Sequence, residues 1–418
     1  MLNKVVITGI GAVTPIGIGR EAVWDSLHTS HSGVRRITRF DPSGLHSQVA
    51  AEVHGFNPLE WIDAESVPHM DRYARFSVAA ARMAIADSGI DLSSVDSRRI
   101  GCFIGSAMGG TSSVEIQFAT FHAHGLDAVD PALASSVLVG SAPSLVALQL
   151  GICGPTSSNA DSCASGPVAM GRAMQAIRRG EIDLAIAGAA DAPLSAMAFG
   201  AFDLIRAMAA QFNDQPEAAC RPFDLNRCGF VMGEGAALMV LESEEHARKR
   251  GAICLAELAG YGLTNDGHHM TAPRPDGSSA SAAMLMAIKD AGCAPDDVDV
   301  VSAHGSSTPL NDSVETLALK LALGDRAYQI PVIGTKSRHG HSLGASGAIE
   351  AAIFALGLHR QWLPAALNLD TPDPKCDLNY GQEGPTKGPF RTVLSNSLGF
   401  GGINACLILK AADLAPQI

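Results

Sequence analysis

Residues 159–166 read Asn-Ala-Asp-Ser-Cys-Ala-Ser-Gly, and they turn a polar segment into an Ala- and Gly-rich helical pattern. The same Ala-Ser-Gly returns at 345–347, again at the start of a helical pattern that follows a strand-like run. Three shared residues in a chain rich in Gly and Ala are also compatible with chance. The alternative is a pair of similar α/β halves, about 1–255 and 256–418, whose helix starts face a common centre.

The composition indicates a globular α/β protein. Of the 418 residues, 47% are hydrophobic and 17% are charged, a mixture that buries a large core and does not suit a disordered chain. Short apolar runs, such as residues 5–7 and 184–187, alternate with longer helical patterns, as expected of sheets covered by helices. The net charge of −12 argues against nucleic acid as a partner.

The cysteines and the apolar segments indicate the cellular compartment in which the protein is expected. Nine cysteines are scattered without a Cys-x-x-Cys pair, which predicts reduced thiols and a cytoplasmic location, and we see no signal-peptide pattern. Residues 131–160 contain no charged side chain, but Ser, Pro and Gly interrupt them. We therefore expect a buried helix, strand and turn at an internal or subunit interface, and no membrane span.

Cys163 is the first candidate for chemistry. It lies where the polar turn becomes a helix, and unpaired N–H groups at a helix N-terminus favour a thiolate. Small neighbours leave room for a substrate to approach. The alternative is a structural cysteine that behaves as a small buried hydrophobe.

Three further polar segments each follow an apolar run. His304 and His341 are flanked by Gly, and a neutral imidazole can donate a hydrogen bond to a carbonyl that gains charge. Phe400 stands among glycines, whose exposed N–H groups can hold an oxyanion while the ring covers an acyl chain. Taken singly, these segments also fit capped turns.

Three other motifs fail on inspection. Residues 9–14 have Thr where a dinucleotide fingerprint needs its third Gly. Residues 340–344 match Gly-x-Ser-x-Gly, but the order of acid and histidine after Ser342 does not fit a hydrolase. The histidines lack the Cys cluster or His-Glu-x-x-His motif of a zinc site, so we expect no metal.

Together, and in this order, the segments resemble the β-ketoacyl-acyl-carrier-protein synthases of type II fatty-acid and polyketide systems, most closely the elongating kind with a Cys-His-His site. The likeness runs nearly end to end through VVITGIGAVTPIG (5–17), GSAMGG (105–110), NADSCASG (159–166), RPFDLNRCGFVMGEGA (221–236), HGSSTPLND (304–312), GTKSRHGHSLGASGAIEA (334–351) and NSLGFGGINA (396–405). The resemblance implies a thiolase-like fold, in which two repeated α/β halves stack as α-β-α-β-α layers, and a homodimer.

The resemblance also implies roles for the catalytic residues. Cys163 would take an acyl chain from a carrier thioester. His304 and His341 would hold the carbonyl of a malonyl thioester while it loses CO₂, and the enolate would attack the acyl group. The N–H groups of Cys163 and Phe400 would form the oxyanion hole. Lys336 would lie behind these catalytic groups and set the electrostatics of the site.

Further residues are implied for support and for binding. Glu350 would pair with Lys336. Ser306 and Thr308 would bind the phosphopantetheine arm of an acyl carrier protein, so the enzyme needs no cofactor of its own. Met108 would limit the acyl tunnel, and the Phe400 ring would gate it.

Departures from the family pattern concern the nucleophile and the carrier. Asp161-Ser162 precedes Cys163 where Thr-Ala is commoner, and Cys228 replaces the usual Asp. Residues 62–70 and 124–130 contain no Lys or Arg, although relatives often carry carrier-docking cations there. Arg206, Arg72 and Arg75 remain as candidates for docking.

Several alternatives stay open on sequence alone. One is a specialised acyltransferase or cyclising enzyme that keeps Cys163 but uses another acceptor. Another is a silent partner subunit that sets chain length in a heterodimer, against which Cys163 and both histidines argue. A thiolase would need a second reactive cysteine near the glycine loop, whereas Cys406 is expected in a strand of the core.

Overall fold

The computed structural model describes residues 3–412. The strands are β1 (Val5–Thr14), β2 (Gly17–Ile18), β3 (Val34–Arg36), β4 (Val49–Ala51), β5 (Ile100–Gly105), β6 (Thr156–Asn159), β7 (Leu184–Asp191), β8 (Gly235–Ser243), β9 (Ala256–Asn265), β10 (Val300–Ser302), β11 (Val332–Ile333), β12 (Trp362–Leu363), β13 (Thr386–Lys387), β14 (Thr392–Gly399) and β15 (Ile403–Lys410). The helices are α1 (Arg20–Leu27), α2 (Arg72–Ser88), α3 (Thr111–His124), α4 (Leu133–Ser136), α5 (Ser141–Leu150), α6 (Ser165–Arg178), α7 (Ala196–Leu204), α8 (Glu244–Lys249), α9 (Ser278–Asp290), α10 (Asn311–Leu323), α11 (Lys336–His339) and α12 (Ser346–Arg360).

The main sheet has the order β11-β10-β14-β15-β9-β1-β8-β7-β5-β6, with β2 paired to β1. Its middle is a short antiparallel junction of β1 and β9, with two residue pairs. On either side of this junction the pattern is the same. Two antiparallel pairings are followed by two parallel ones, which end at the edge strands β6 and β11. Parallel neighbours need helical crossovers, and these supply the helices that cover the sheet.

Two long buried helices form the central layer. Almost every residue of α6 and of α12 is buried, and the two helices pack on each other and on strands from both sides of the junction. On the outside, α2 covers β1 and β8, while α9 covers β9 and β15. This α-β-α-β-α layering confirms the predicted fold class.

The repeated Ala-Ser-Gly has the same conformation in both places. A 3-10 turn at Ser162–Ala164 leads into α6, and another at Leu343–Ala345 leads into α12. The first residue of each turn has a positive φ, 53° at Ser162 and 45° at Leu343. Both helices therefore begin with the same backbone geometry, close to one another.

The charge-free segment 131–160 folds as α4, α5 and β6. We expected a buried helix, but in the single chain its outer face is open: Leu138 is 57% exposed and Leu148 is 76% exposed. The reason is that β6 is an edge strand, so nothing in the chain packs beyond it. Among residues 3–412, no helix has the length and apolar character needed to cross a membrane.

Candidate active site

Cys163 lies within the 3-10 turn just before α6, with 8% of its surface exposed to a cavity of about 430 Å³. Burial raises the pKa of its thiol. A hydrogen bond from Ser162, the charge of Lys336 and the N–H of Phe400 oppose this rise. The helix N-terminus was expected to favour a thiolate, but desolvation outweighs it because the sulfur is buried.

His304 follows β10, whose carboxyl end meets those of β11 and β14. Its backbone is fixed by Glu315, a buried carboxylate of α10 that accepts hydrogen bonds from the N–H groups of His304 (2.7 Å) and Gly305 (2.8 Å). The sequence analysis missed Glu315. Its partners are main-chain groups of another segment, which carry no residue-specific signal.

Lys336 connects His304 to a buried acid. Its Nζ donates to the His304 carbonyl oxygen (2.5 Å) and to Oε1 of Glu350 (2.6 Å), so the predicted ion pair forms, with both side chains fully buried. The same Nζ lies 3.4 Å from Nδ1 of His304. Because an ammonium group can only donate, Nδ1 is the acceptor, and the proton of the neutral imidazole lies on Nε2.

His341 faces His304 across the cavity. The ring centroids are 5.2 Å apart at an interplanar angle of 78°. Nδ1 of His341 is hydrogen-bonded to Oγ of Ser346 at 2.8 Å, which fixes the ring. Burial, followed by the charge of Lys336, holds the pKa of both histidines well below 6.5, so both imidazoles are neutral at neutral pH.

The glycine loop after β14 places Phe400 beside the nucleophile. Gly401 and Gly402 have φ values of 80° and 72°, and a side chain at Gly402 would meet Cβ of Asp266 at 2.7 Å, so both positions require glycine. The loop is held by a hydrogen bond from the Gly401 N–H to the Met270 carbonyl oxygen (2.7 Å). The N–H of Phe400 is thereby directed at Cys163.

The cavity has an apolar part and a polar part. Met108 and Phe400 line the apolar part, together with Phe202, Phe230 and Leu343. Ser306 and Thr308 line the polar part, with their hydroxyls 2.9 Å apart. Such a cavity can accept an apolar chain together with a polar arm that ends at Cys163.

Met108 is held by a residue that the sequence analysis also missed. The carboxylate of Asp191 is fully buried and accepts hydrogen bonds from the N–H groups of Ala107 (2.9 Å), Met108 (3.0 Å) and Gly344 (2.8 Å). Asp191 therefore connects this part of the cavity wall to the turn before α12. Burial raises its pKa to about 6, against the donors that lower it.

Of the three candidate docking arginines, Arg72 and Arg75 lie on α2, whereas Arg206 follows α7. Arg72 forms an ion pair of 2.7 Å with the buried Glu234, and its part in carrier docking stays a prediction. Arg75 is half-buried and donates to the Met70 carbonyl oxygen. Arg206 is exposed and lines the cavity.

The remaining cysteine and metal alternatives find little support. Cys406 is fully buried in β15, as expected of a core residue, and burial raises its pKa. The Nδ1 atoms of His304 and His341 face Lys336 and Ser346. Within residues 3–412, no three His, Cys, Asp or Glu side chains form a metal-binding group.

Comparison with known proteins agrees with this geometry. Two family models match, "Beta-ketoacyl synthase, N-terminal domain" over residues 2–247 and "Beta-ketoacyl synthase, C-terminal domain" over residues 255–370. A 3-oxoacyl-[acyl-carrier-protein] synthase 2 of Coxiella burnetii is 38% identical over 98% of both chains. A putative polyketide β-ketoacyl synthase 1 of Streptomyces cyaneus is 42% identical over 98% of both chains.

Solved structures give the same result. One is a type II polyketide synthase acyl-carrier protein in complex with its ketosynthase bound to the hexaketide; its matching chain has a TM-score of 0.92 and 35% identity, covering 99% of this chain and 100% of that one. Another is the ishigamide ketosynthase/chain length factor, with a TM-score of 0.92, 34% identity and the same coverage.

Proposed function

Because the chain belongs to the β-ketoacyl synthase family, we propose that it is an acyltransferase that elongates an acyl chain by decarboxylative condensation, in fatty-acid or polyketide synthesis. The acyl group is held on Cys163, and the extender is a malonyl group on an acyl carrier protein. One observation carries this proposal: the thiol and two neutral imidazoles face the same cavity. The enzyme needs no cofactor of its own, since phosphopantetheine arrives on the carrier.

The first half-reaction is thioester exchange. The sulfur of Cys163 attacks the carbonyl carbon of the incoming acyl thioester, and the thiol proton passes to the departing pantetheine sulfur. The N–H groups of Cys163 and Phe400 stabilise the oxyanion. The acyl chain then occupies the apolar part of the cavity beside Met108.

The second half-reaction makes the new carbon–carbon bond. Nε2–H of His304, with His341 beside it, donates to the malonyl thioester carbonyl, so the electron pair released with CO₂ is held as an enolate. The enolate carbon attacks the acyl carbonyl, and the sulfur of Cys163 leaves as a thiolate. The product is a β-ketoacyl thioester two carbons longer, still on the carrier.

The carrier docks over the mouth of the cavity. Arg206 supplies a cation there, and three apolar side chains stand exposed beside it: Ile205 (53%), Met270 (72%) and Leu310 (58%). A carrier whose arm reaches Cys163 must cover this rim. The contact is therefore mainly apolar, which suits two proteins that are both acidic.

The assembly is a dimer of this chain. The edge of β6 and exposed side chains of α3, among them Ile116 (64%) and Phe118 (60%), provide an apolar face for a second copy. A related subunit is the alternative partner, but the intact Cys163, His304 and His341 favour a chain that is catalytic by itself. We divide each copy at residues 1–255 and 256–418, with the cavity between the helix starts.

The protein acts in the cytoplasm. All nine cysteines are free, including pairs within one core cluster such as Cys220 and Cys228. Persistent free thiols are typical of a reducing compartment.

Intact mass spectrometry tests the proposed function. Incubation with an acyl-carrier thioester should add the acyl mass to the enzyme, with no adduct on Cys163→Ala; malonyl-carrier should then give a product two carbons longer. His304→Ala and His341→Ala should still accept the acyl group but release at least 100-fold less CO₂. A matched control is Cys406→Ala, which should keep the adduct. An adduct elsewhere, or transfer without elongation, would exclude condensation.

A further inference from the structure

Ser162 is a departure from the family pattern that the reaction described above leaves unused. It immediately precedes the nucleophile and lines the cavity. Its Oγ lies 3.8 Å from Sγ of Cys163, in donor geometry, and among the described residues its hydroxyl has no other hydrogen-bond partner. The hydroxyl is therefore directed at the reacting atom.

The backbone at Ser162 is held in an unusual conformation. Its φ is 53°, a region that non-glycine residues rarely adopt. The turn is fixed by hydrogen bonds from Oγ of Ser165 to the Ser162 carbonyl oxygen (2.7 Å) and from the Ala164 N–H to the Asp161 carbonyl oxygen (3.0 Å). These bonds determine where Cβ points, so the side chain of Ser162 is held next to the sulfur, within reach of a hydrogen bond from its hydroxyl.

The hydroxyl of Ser162 can stabilise negative charge on the buried sulfur of Cys163. Cys163 is buried, and a buried thiolate lacks the water that would otherwise stabilise its charge. A hydroxyl that donates to an anion forms a charge-assisted hydrogen bond, and such bonds shorten when the charge develops. The hydroxyl can thus replace part of the lost hydration of the sulfur.

We propose that Ser162 stabilises the thiolate of Cys163 by donating a hydrogen bond from its hydroxyl to Sγ. The proposal rests on the proposed function, in which negative charge develops on Sγ twice: when the thiol attacks the acyl thioester and gives its proton to the departing sulfur, and when Cys163 leaves the acyl group at the end of condensation. The hydroxyl proton stays on oxygen in both steps. Between the two steps, the sulfur is part of a thioester, and the hydrogen bond from Ser162 to Sγ weakens.

Two substitutions separate the hydroxyl from the backbone strain. Ser162→Ala removes the hydroxyl and keeps a side chain at positive φ, whereas Ser162→Gly removes both the hydroxyl and the strain. The readout is the pH dependence of iodoacetamide alkylation at Cys163, followed by mass spectrometry of its peptide, since this reaction needs no acyl substrate. Both variants should raise the alkylation pKa by about one unit and slow alkylation about tenfold near neutral pH.

The outcomes distinguish this proposal from the proposed function. A shifted alkylation profile supports the role of Ser162 even in a preparation that does not condense. A profile of Ser162→Ala that coincides with that of the unaltered protein overturns it, and a shift confined to Ser162→Gly does so as well, because relief of the backbone strain would then be the cause. In active preparations, kcat/KM for acyl transfer to Cys163 should fall with the alkylation rate.

Discussion

At the residue scale, the site keeps two histidines neutral beside a buried cation. Lys336 has its charge balanced by Glu350, and its Nζ faces Nδ1 of His304, where a proton would be repelled. Protonation of Glu350, whose pKa burial raises to about 7, leaves Lys336 charged without its counter-ion and therefore opposes a proton on His304 still more strongly. The Nε2–H donor of His304 thus persists over a wide pH range.

We expect CO₂ release from malonyl-carrier to show no loss centred at pH 6.5, the ordinary pKa of histidine, as the pH falls from about 8 to about 5.5. Activity should persist because the pKa of each imidazole is lowered, so the neutral form stays dominant below pH 6.5. Lys336→Met removes the charge that, together with burial, lowers the pKa of both histidines. The activity of this variant should therefore fall at the acidic end of the pH range. Loss of activity near pH 6.5 in the unaltered protein, abolished by His341→Gln, would contradict this.

At the element scale, glycines set how closely α6 and α12 approach. A Cβ added at Gly166 would lie 2.9 Å from the backbone N of Ala348, and one at Gly347 would lie 2.6 Å from Cδ of Pro167 and collide with Oγ of Ser397. Real Cβ atoms are not found so close to backbone or ring atoms, so the helices would have to separate. This separation would also displace Cys163 and His341, which lie next to the two helix starts.

Gly347→Ala should therefore lower the free energy of unfolding by about 1–3 kcal/mol, the range typical of overpacked cores, with a lower midpoint in urea. Gly200→Ala is the matched control, because Gly200 lies in α7 and its nearest contact would be 3.8 Å away. That change should be neutral or stabilise by about 0.5–1 kcal/mol. Equal midpoints for the two variants would show that close approach is not required.

At the scale of the whole molecule, apolar side chains of α3 and the edge of β6 remain open in the single chain. The strand β6 belongs to residues 131–160, which were expected at an internal or subunit interface, whereas α3 precedes that segment. A large apolar surface of this kind is typical of an interface, because exposed strand edges and hydrophobic side chains favour association. The proposed dimer would cover it.

Phe118→Asp should convert the dimer into a monomer near 43.3 kDa in size-exclusion chromatography with light scattering, because two buried carboxylates would face the interface. Ile253→Asp serves as control: Ile253 is 58% exposed against 60% for Phe118, but lies in the loop before β9. It should leave the oligomer unchanged. An unaltered dimer for Phe118→Asp would exclude this face.

The α/β class and the chemistry of single positions can be predicted from local sequence motifs. Cys163, His304 and His341 stand in short motifs whose residue types report their own environment: small neighbours, an apolar run upstream and a glycine beside the ring. The Lys336–Glu350 pair was also predictable, since both residues belong to one segment that resembles the family.

The pairing of distant polar groups, in contrast, becomes visible only in the folded protein. Glu315 and Asp191 bind backbone N–H groups, which look alike in every residue, and the ion pair of Arg72 was not foreseen because its partner Glu234 lies 162 positions away. Whether the Cys163 thiol is easily ionised likewise depends on burial, a property of the packed layers. Local motifs specify which chemistry is available, whereas its electrostatic setting comes from contacts between segments that the linear sequence does not pair.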